Sequence, residues 1–321
     1  MNRMLSSAAA LVLASAAGAA IAEEAPSTNM FAPENFTANA TLASDYRFRG
    51  ISNSDGFAMQ GGFDWAFQGF SAGVWGSNTE FSDSNIEVDI YGGYGWTMSG
   101  IDMHVNLLYY MFPGESSRET EGLDPPGFDP STGLRPGDAG TGFPVPPPGQ
   151  EHPYLGQFPN IDANYFEVNL GVAKSFEGLM LKPTVGFDYN YSPDYFGEDG
   201  NAHHVQFSLG ASLPYDIGFA FNIGYQDVEG DEFSAYFATP DGYDWWWFSV
   251  GVSKEALGFV FDVSYYWVDN GDQCGNRGGA ACKWNGGMAT FYNDYAYSAE
   301  GGTSYRDLTR DEVVFSISRS F

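Results

Sequence analysis

Apolar and polar residues alternate with a period of two along most of the chain. Phe36, Ala38, Ala40 and Leu42 alternate with Thr37, Asn39 and Thr41, and Ile86, Val88 and Ile90 alternate with Glu87 and Asp89. Ile101, Met103, Val105 and Leu107 alternate with Asp102, His104 and Asn106. The pattern returns at Phe166–Leu170, Phe219–Ile223 and Phe259–Tyr265. Side chains leave a strand on opposite sides in turn, so each segment has one apolar and one polar face. Twelve strands are predicted, over 36–49, 57–68, 70–79, 86–97, 101–112, 164–175, 179–191, 202–212, 217–226, 244–254, 259–268 and 312–321. A strand of about 11 residues, rising ~3.3 Å each and tilted about 45°, covers about 25 Å, the height of an outer-membrane apolar band. Strands of soluble domains are about half as long.

The connections sort by length. Short ones fall near 69, 98–100, 176–178, 213–216 and 255–258, and longer ones near 50–56, 80–85, 113–163, 192–201, 227–243 and 269–311. They alternate long and short throughout, as an up-and-down transmembrane barrel requires. The fold class is therefore all-β: an antiparallel, up-and-down transmembrane barrel of about 12 strands. The outward faces of the predicted spans carry charge at Lys174 and Arg319, both placed to snorkel to headgroups at one rim. Tyr46, Phe48, Trp65, Trp96, Tyr189, Tyr225, Trp246 and Trp267 are expected to form aromatic girdles at the strand ends. The segment 113–163 holds 11 of the 17 prolines and reads as an external loop of the single barrel that occupies 23–321.

Composition adds the compartment. Residues 1–22 carry Arg3, an apolar alanine-rich run and the small-x-small sequence Ala20-Ile21-Ala22, which reads as a secretory signal peptide cleaved before Glu23. The barrel pattern places the exported chain in the outer membrane of a Gram-negative bacterium. Cys274 and Cys282 fit no zinc pattern and are expected to close a disulfide staple of about 2.5 kcal/mol in an oxidising compartment. Acids outnumber bases 41 to 13, and the net charge of −28 excludes nucleic acid as a partner.

Several stretches resemble a known family. The run from Thr37 to Ser52, containing Ser44-Asp45-Tyr46-Arg47-Phe48-Arg49-Gly50-Ile51-Ser52, is similar to the N-terminal signature of the TorF family of porins. Gln60-Gly61-Gly62-Phe63-Asp64, Val74-Trp75-Gly76-Ser77-Asn78 and the tail from Val313 to Phe321 continue the resemblance. It implies an outer-membrane channel, and the insert at 113–163 is longer than the family's usual. Resemblance to outer-membrane barrels also implies that the terminal Phe321 is the signal read by the barrel-assembly machinery.

The candidate chemistry is that of a pore. Twelve strands lie between barrels filled by side chains and barrels with open channels. The inward positions are expected to carry Asp45, Asp64, Glu87, Asp89, Asp102, Glu167, Asp188 and Asp262 against Arg47, Arg49 and Lys182. Such a lumen is negative and favours cations or neutral polar solutes. Arg47 and Arg49 are expected on one face of the first strand, either orienting a solute or bracing the wall through carboxylates. The predicted function is passive diffusion of small hydrophilic solutes. The expected partners are that solute, outer-membrane lipids and the assembly machinery. No cofactor, metal site or catalytic residue is predicted. The sequence holds no His-Glu-x-x-His, phosphate loop or dinucleotide fingerprint. Asp269-Asn270-Gly271-Asp272 reads as a solvated turn that lacks the glutamate ending a calcium loop. Two other classes remain open at this stage: a closed structural or adhesive barrel working through its loops, and a rim lipid hydrolase, for which only His203 is suitably placed.

Overall fold

The computed structural model describes residues 28–54, 56–79, 84–114, 163–196, 200–229, 243–269 and 310–321. The signal peptide, Cys274, Cys282, Asn270–Asp272 and nearly all of the Pro-rich segment lie outside the described residues. A single 3-10 turn, Pro33–Asn35, precedes the strands. These are β1 (Phe36–Ala43), β2 (Arg47–Phe48), β3 (Ile51–Ser52), β4 (Ala58–Phe67), β5 (Phe70–Asn78), β6 (Ile86–Met98) and β7 (Ile101–Met111). They continue with β8 (Tyr165–Ser175), β9 (Thr184–Ser192), β10 (Ala202–Leu213), β11 (Ile217–Val228), β12 (Tyr243–Ala256), β13 (Phe259–Asp269) and β14 (Glu312–Ser320).

Twelve of these strands close into one antiparallel barrel, in the order β1-β14-β13-β12-β11-β10-β9-β8-β7-β6-β5-β4. β1 pairs with β4 on one side and β14 on the other, so the sheet has no free edge. The faces are inverted relative to a soluble protein. Phe63, Ile90, Leu107, Leu170, Phe187, Val252 and Phe315 lie exposed on the outside, while Asn106, Asn169, Asn190, Gln206 and Ser249 are buried within. Alternation produces both faces at once, because one residue in two must point each way.

Three turns at one end of the barrel share a chemistry. Gln68-Gly69, Ser99-Gly100 and Leu257-Gly258 each have positive φ at both residues, as a two-residue type I′ hairpin demands. Lys174, Arg319 and a third outward cation, Lys254, gather at this turn end. Lys174 Nζ lies 5.6 Å from the Phe176 ring, Arg319 5.2 Å from the rings of Phe259 and Phe321, and Lys254 Nζ donates to the Tyr215 carbonyl at 2.9 Å.

The strand predictions need two corrections. β9 begins at Thr184 rather than 179. Pro183 has no N–H for a ladder, and Lys182 has φ 42°. Residues 176–183 therefore form a broad turn closed by the Phe176 N–H donating to Pro183 O at 2.9 Å. Lys182 stands in that turn, 3.6 Å from Glu177, and not on a strand. The second correction is larger: the first wall strand stops at Ala43, and the segment predicted to continue it turns into the lumen.

Candidate functional site

Residues 45–54 form a small hairpin of their own. β2 and β3 pair Arg47 with Ser52 and Phe48 with Ile51 around the turn Arg49-Gly50. Arg49 has φ 49° and Gly50 φ 84°, again the type I′ requirement. The base is knotted by side chains. Ser52 Oγ and Ser54 Oγ donate to Asp45 Oδ1 at 2.6 and 3.0 Å, and the Tyr46 N–H donates to Ser54 Oγ at 2.9 Å. Arg47 Nε lies 2.6 Å from Asp45 Oδ2. Burial raises the Asp45 carboxyl above the ordinary carboxylate value, and the neighbouring Arg47 and serine hydroxyls oppose that rise. Tyr46 and Phe48, expected in the outer girdle, are carried inward with this hairpin, where Tyr46 packs edge-on to Trp75 and Phe48 edge-on to Tyr110.

The hairpin spans the barrel from wall to wall. Arg47 donates to Glu312 on β14, and Arg49 donates to Glu167 Oε2 on β8 at 2.6 Å. In the ring of twelve, β14 and β8 stand six places apart, which is diametrically opposite. The second pair of contacts crosses the other way. Tyr46 Oη donates to Glu87 Oε1 on β6 at 3.1 Å, and Trp245 Nε1 on β12 donates to the Arg49 carbonyl at 3.0 Å. β6 and β12 are also six places apart. Arg49 has a further acceptor in Gln226 Oε1 on β11 at 2.7 Å. At the tip, a Cβ added to Gly50 would lie 2.7 Å from Trp247 Cβ and 2.7 Å from Val268 Cγ2, so only glycine fits both the space and the backbone there.

Aromatic rings fill in around the tip. Tyr110 stacks on Tyr165 with centroids 4.3 Å apart, and Tyr195 and Phe196 pack against Tyr165. Burial pushes the Tyr195 hydroxyl up to about 12, against the pull of the Arg49 guanidinium. Below this cluster a polar chain runs along the wall. His104 Nε2 lies 2.8 Å from Asn169 Oδ1, Asn169 Nδ2 donates to Asn190 Oδ1 at 2.9 Å, and the Asn190 amide lies 2.9 Å from His204 Nδ1. The chain ends where Trp247 Nε1 donates to His204 Nε2 at 3.2 Å. An indole can only donate, so His204 Nε2 is the acceptor in this contact. Gly224 makes room for this contact, since any Cβ there would meet the indole of Trp247 and the ring of His204.

The remaining sequence-predicted residues divide by neighbourhood. Glu87, Asp89 and Glu167 lie beside the hairpin and are buried. Asp64 accepts from Tyr91 Oη and Asn39 Nδ2, and Asp188 Oδ1 is 3.2 Å from His104 Nε2. Asp262 accepts from Ser264 Oγ at 2.7 Å, and Asp102 accepts from Thr97 Oγ1 at 2.6 Å near the turn end. Arg47 and Arg49 are buried in ion pairs on opposite walls rather than side by side on β1. Phe321 is exposed, its N–H donating to the Ala38 carbonyl at 2.8 Å. His203 faces outward at the loop end, with Nδ1 2.7 Å from Tyr189 Oη and Nε2 4.0 Å from Glu229. The residues that sequence reasoning missed are the hairpin's wall contacts Gln226, Trp245, Trp247 and Glu312. One signal was available: Arg49-Gly50 between Phe48 and Ile51 has the X-Gly form of the other two-residue turns.

Comparison with known proteins gives a partial match. A family described as a bacterial protein of unknown function, Gcw_chp, matches residues 27–123, which include the hairpin and the barrel wall from β1 to β7. No curated protein matches the chain. Among solved structures, the chain is similar to the KdgM porin at 8% identity and a TM-score of 0.44, covering 89% of this chain and 98% of that one. It is similar to the NanC porin at 9% identity and a TM-score of 0.42, over 88% and 97% of the two chains. Against Pseudomonas aeruginosa OccK8 (OprE) the values are 9% and 0.38, over 90% and 68%.

Proposed function

We propose that this chain is an outer-membrane, porin-like channel that passes small hydrophilic solutes by passive diffusion, and that its lumen favours cations or neutral polar solutes. Supporting the membrane setting are the closed wall and the exposed apolar exterior. The resemblance of Ser44–Ser52 and the tail to TorF-family porins belongs to the same reading, as does the expected export by a signal peptide. The observation that carries the preference is the charge of the interior. Among the described residues, Glu87, Asp89, Glu167, Asp64, Asp188 and Asp262 line the lumen, and Asp45 and Glu312 neutralise the hairpin base, against the guanidiniums of Arg47 and Arg49. Carboxylates in excess inside low-dielectric walls attract cations and repel anions. Solutes pass beside the hairpin, so the hairpin sets the narrowest point.

The test is single-channel recording of the refolded full chain in a planar bilayer under a salt gradient. Discrete steps with a cation-biased reversal potential are expected. An anion bias would reject the acidic-lumen reading. The diametric seating of the hairpin favours a second reading, a closed barrel that works through its external loops. Silence from a correctly folded barrel would support that reading. Replacing residues 46–53 with a short Gly-Ser linker should raise conductance severalfold if the hairpin is the constriction.

A further inference from the structure

Glu87 and Asp89 point into the lumen from the same face of β6, and each has a buried carboxylate oxygen without a hydrogen-bond donor among the described residues: Glu87 Oε2 and Asp89 Oδ1. Glu87 is 2% exposed and Asp89 8%. The other oxygen of Glu87 takes the Tyr46 hydroxyl, and Asn53 also bonds this carboxylate, so the hairpin covers the pair from above. On the hairpin, Arg49 is already committed to Glu167, whose second oxygen is 3.3 Å from Tyr110 Oη. Tyr110 sits directly opposite Asp89 in the β6–β7 register. Asp89 therefore feels two like charges, Glu87 and Glu167, and has no basic partner among the described residues. Buried acceptors left bare cost several kcal/mol each, and in native structures they point to an ion or water that completes them.

We propose that Asp89 and Glu87 bind a divalent cation of the calcium class beneath the hairpin. Two adjacent carboxylates supply a charge of about −2, and an irregular, oxygen-only site suits calcium better than the strict octahedron magnesium demands. Among the described residues no three acid, histidine or cysteine side chains converge as a metal cage, so lumen water supplies the other positions. The bound ion screens Glu87 from Asp89 and so strengthens the seat of the hairpin on β6. This inference rests on the lumen geometry and does not need the barrel to conduct.

The experiment is thermal unfolding of the refolded full chain in detergent, with chelator and with millimolar calcium chloride as the probe. Calcium should raise the melting temperature by roughly 5 °C. Asp89→Asn and Glu87→Gln should each abolish that increment, and Asp89→Asn in chelator should melt no lower than the native chain, because a repulsive charge has gone. Asp227→Asn, which removes an outward acid from the loop end, should keep the increment and so exclude a surface effect. A native chain indifferent to calcium would overturn the proposal, as would an increment that survives both lumen substitutions. Either result would assign the bare oxygens to a shared proton instead.

Discussion

Arg49-Gly50 and Leu257-Gly258 are the same turn in two settings. Both residues of each pair have positive φ, 49° and 84° in the first and 57° and 77° in the second. Leu257 is 93% exposed, and a Cβ on Gly258 would meet nothing within 4 Å. Arg49 is 4% exposed, and a Cβ on Gly50 would strike Trp247 and Val268. Local backbone chemistry makes both turns, and it is indifferent to where they end up. What separates them is the flanking chemistry. The strands around Leu257-Gly258 have apolar outward faces and join the wall. Those around Arg49-Gly50 carry two guanidiniums and Asp45, and the guanidiniums pair with Glu167 and Glu312 inside the barrel.

Substitutions can break that contrast, beginning with the largest expected effect. Arg49→Met should cost about 3–5 kcal/mol, because Glu167 is left buried without its partner. The check is the urea midpoint of the refolded chain; an unchanged midpoint would mean the pair does not hold the hairpin. Gly50→Ala should cost about 2–4 kcal/mol from overpacking and backbone strain together. Gly258→Ala at the matching turn should cost only about 1 kcal/mol, from backbone strain alone. Equal losses in the two alanine variants would show that the lumen contacts at Gly50 add nothing. Trp245→Phe should cost about 1 kcal/mol through the lost bond to the Arg49 carbonyl, read as a small drop in melting temperature. The same change should leave the aromatic packing around Tyr110 intact, which near-ultraviolet circular dichroism can follow.

The wall was almost wholly legible in the sequence. From Ala58 to Asp269 the described strands follow the alternation, and the outward faces are the apolar ones. Two things escaped, each for a physical reason. Asp45, Arg47 and Arg49 alternate with Tyr46 and Phe48 just as wall residues do, because a hairpin strand has the same period of two. Period reveals a strand and is silent on its partner, so β2 read as an extension of β1. The wall partners of the hairpin escaped because they lie far away in sequence. Arg47 and Glu312 are 265 positions apart, and Arg49 and Gln226 are 177 apart. Both arginines sit in ion pairs with wall carboxylates.

The bond from Arg47 to Glu312 ties the crosspiece to the closing seam of the wall. Glu312 opens β14, the strand whose pairing with β1 seals the cylinder. The residue that anchors one end of the crosspiece therefore sits on the strand that closes the wall, and both contacts join parts of the chain far apart in sequence. Loss of the Arg47–Glu312 contact should thus loosen the crosspiece and the β1–β14 seam together.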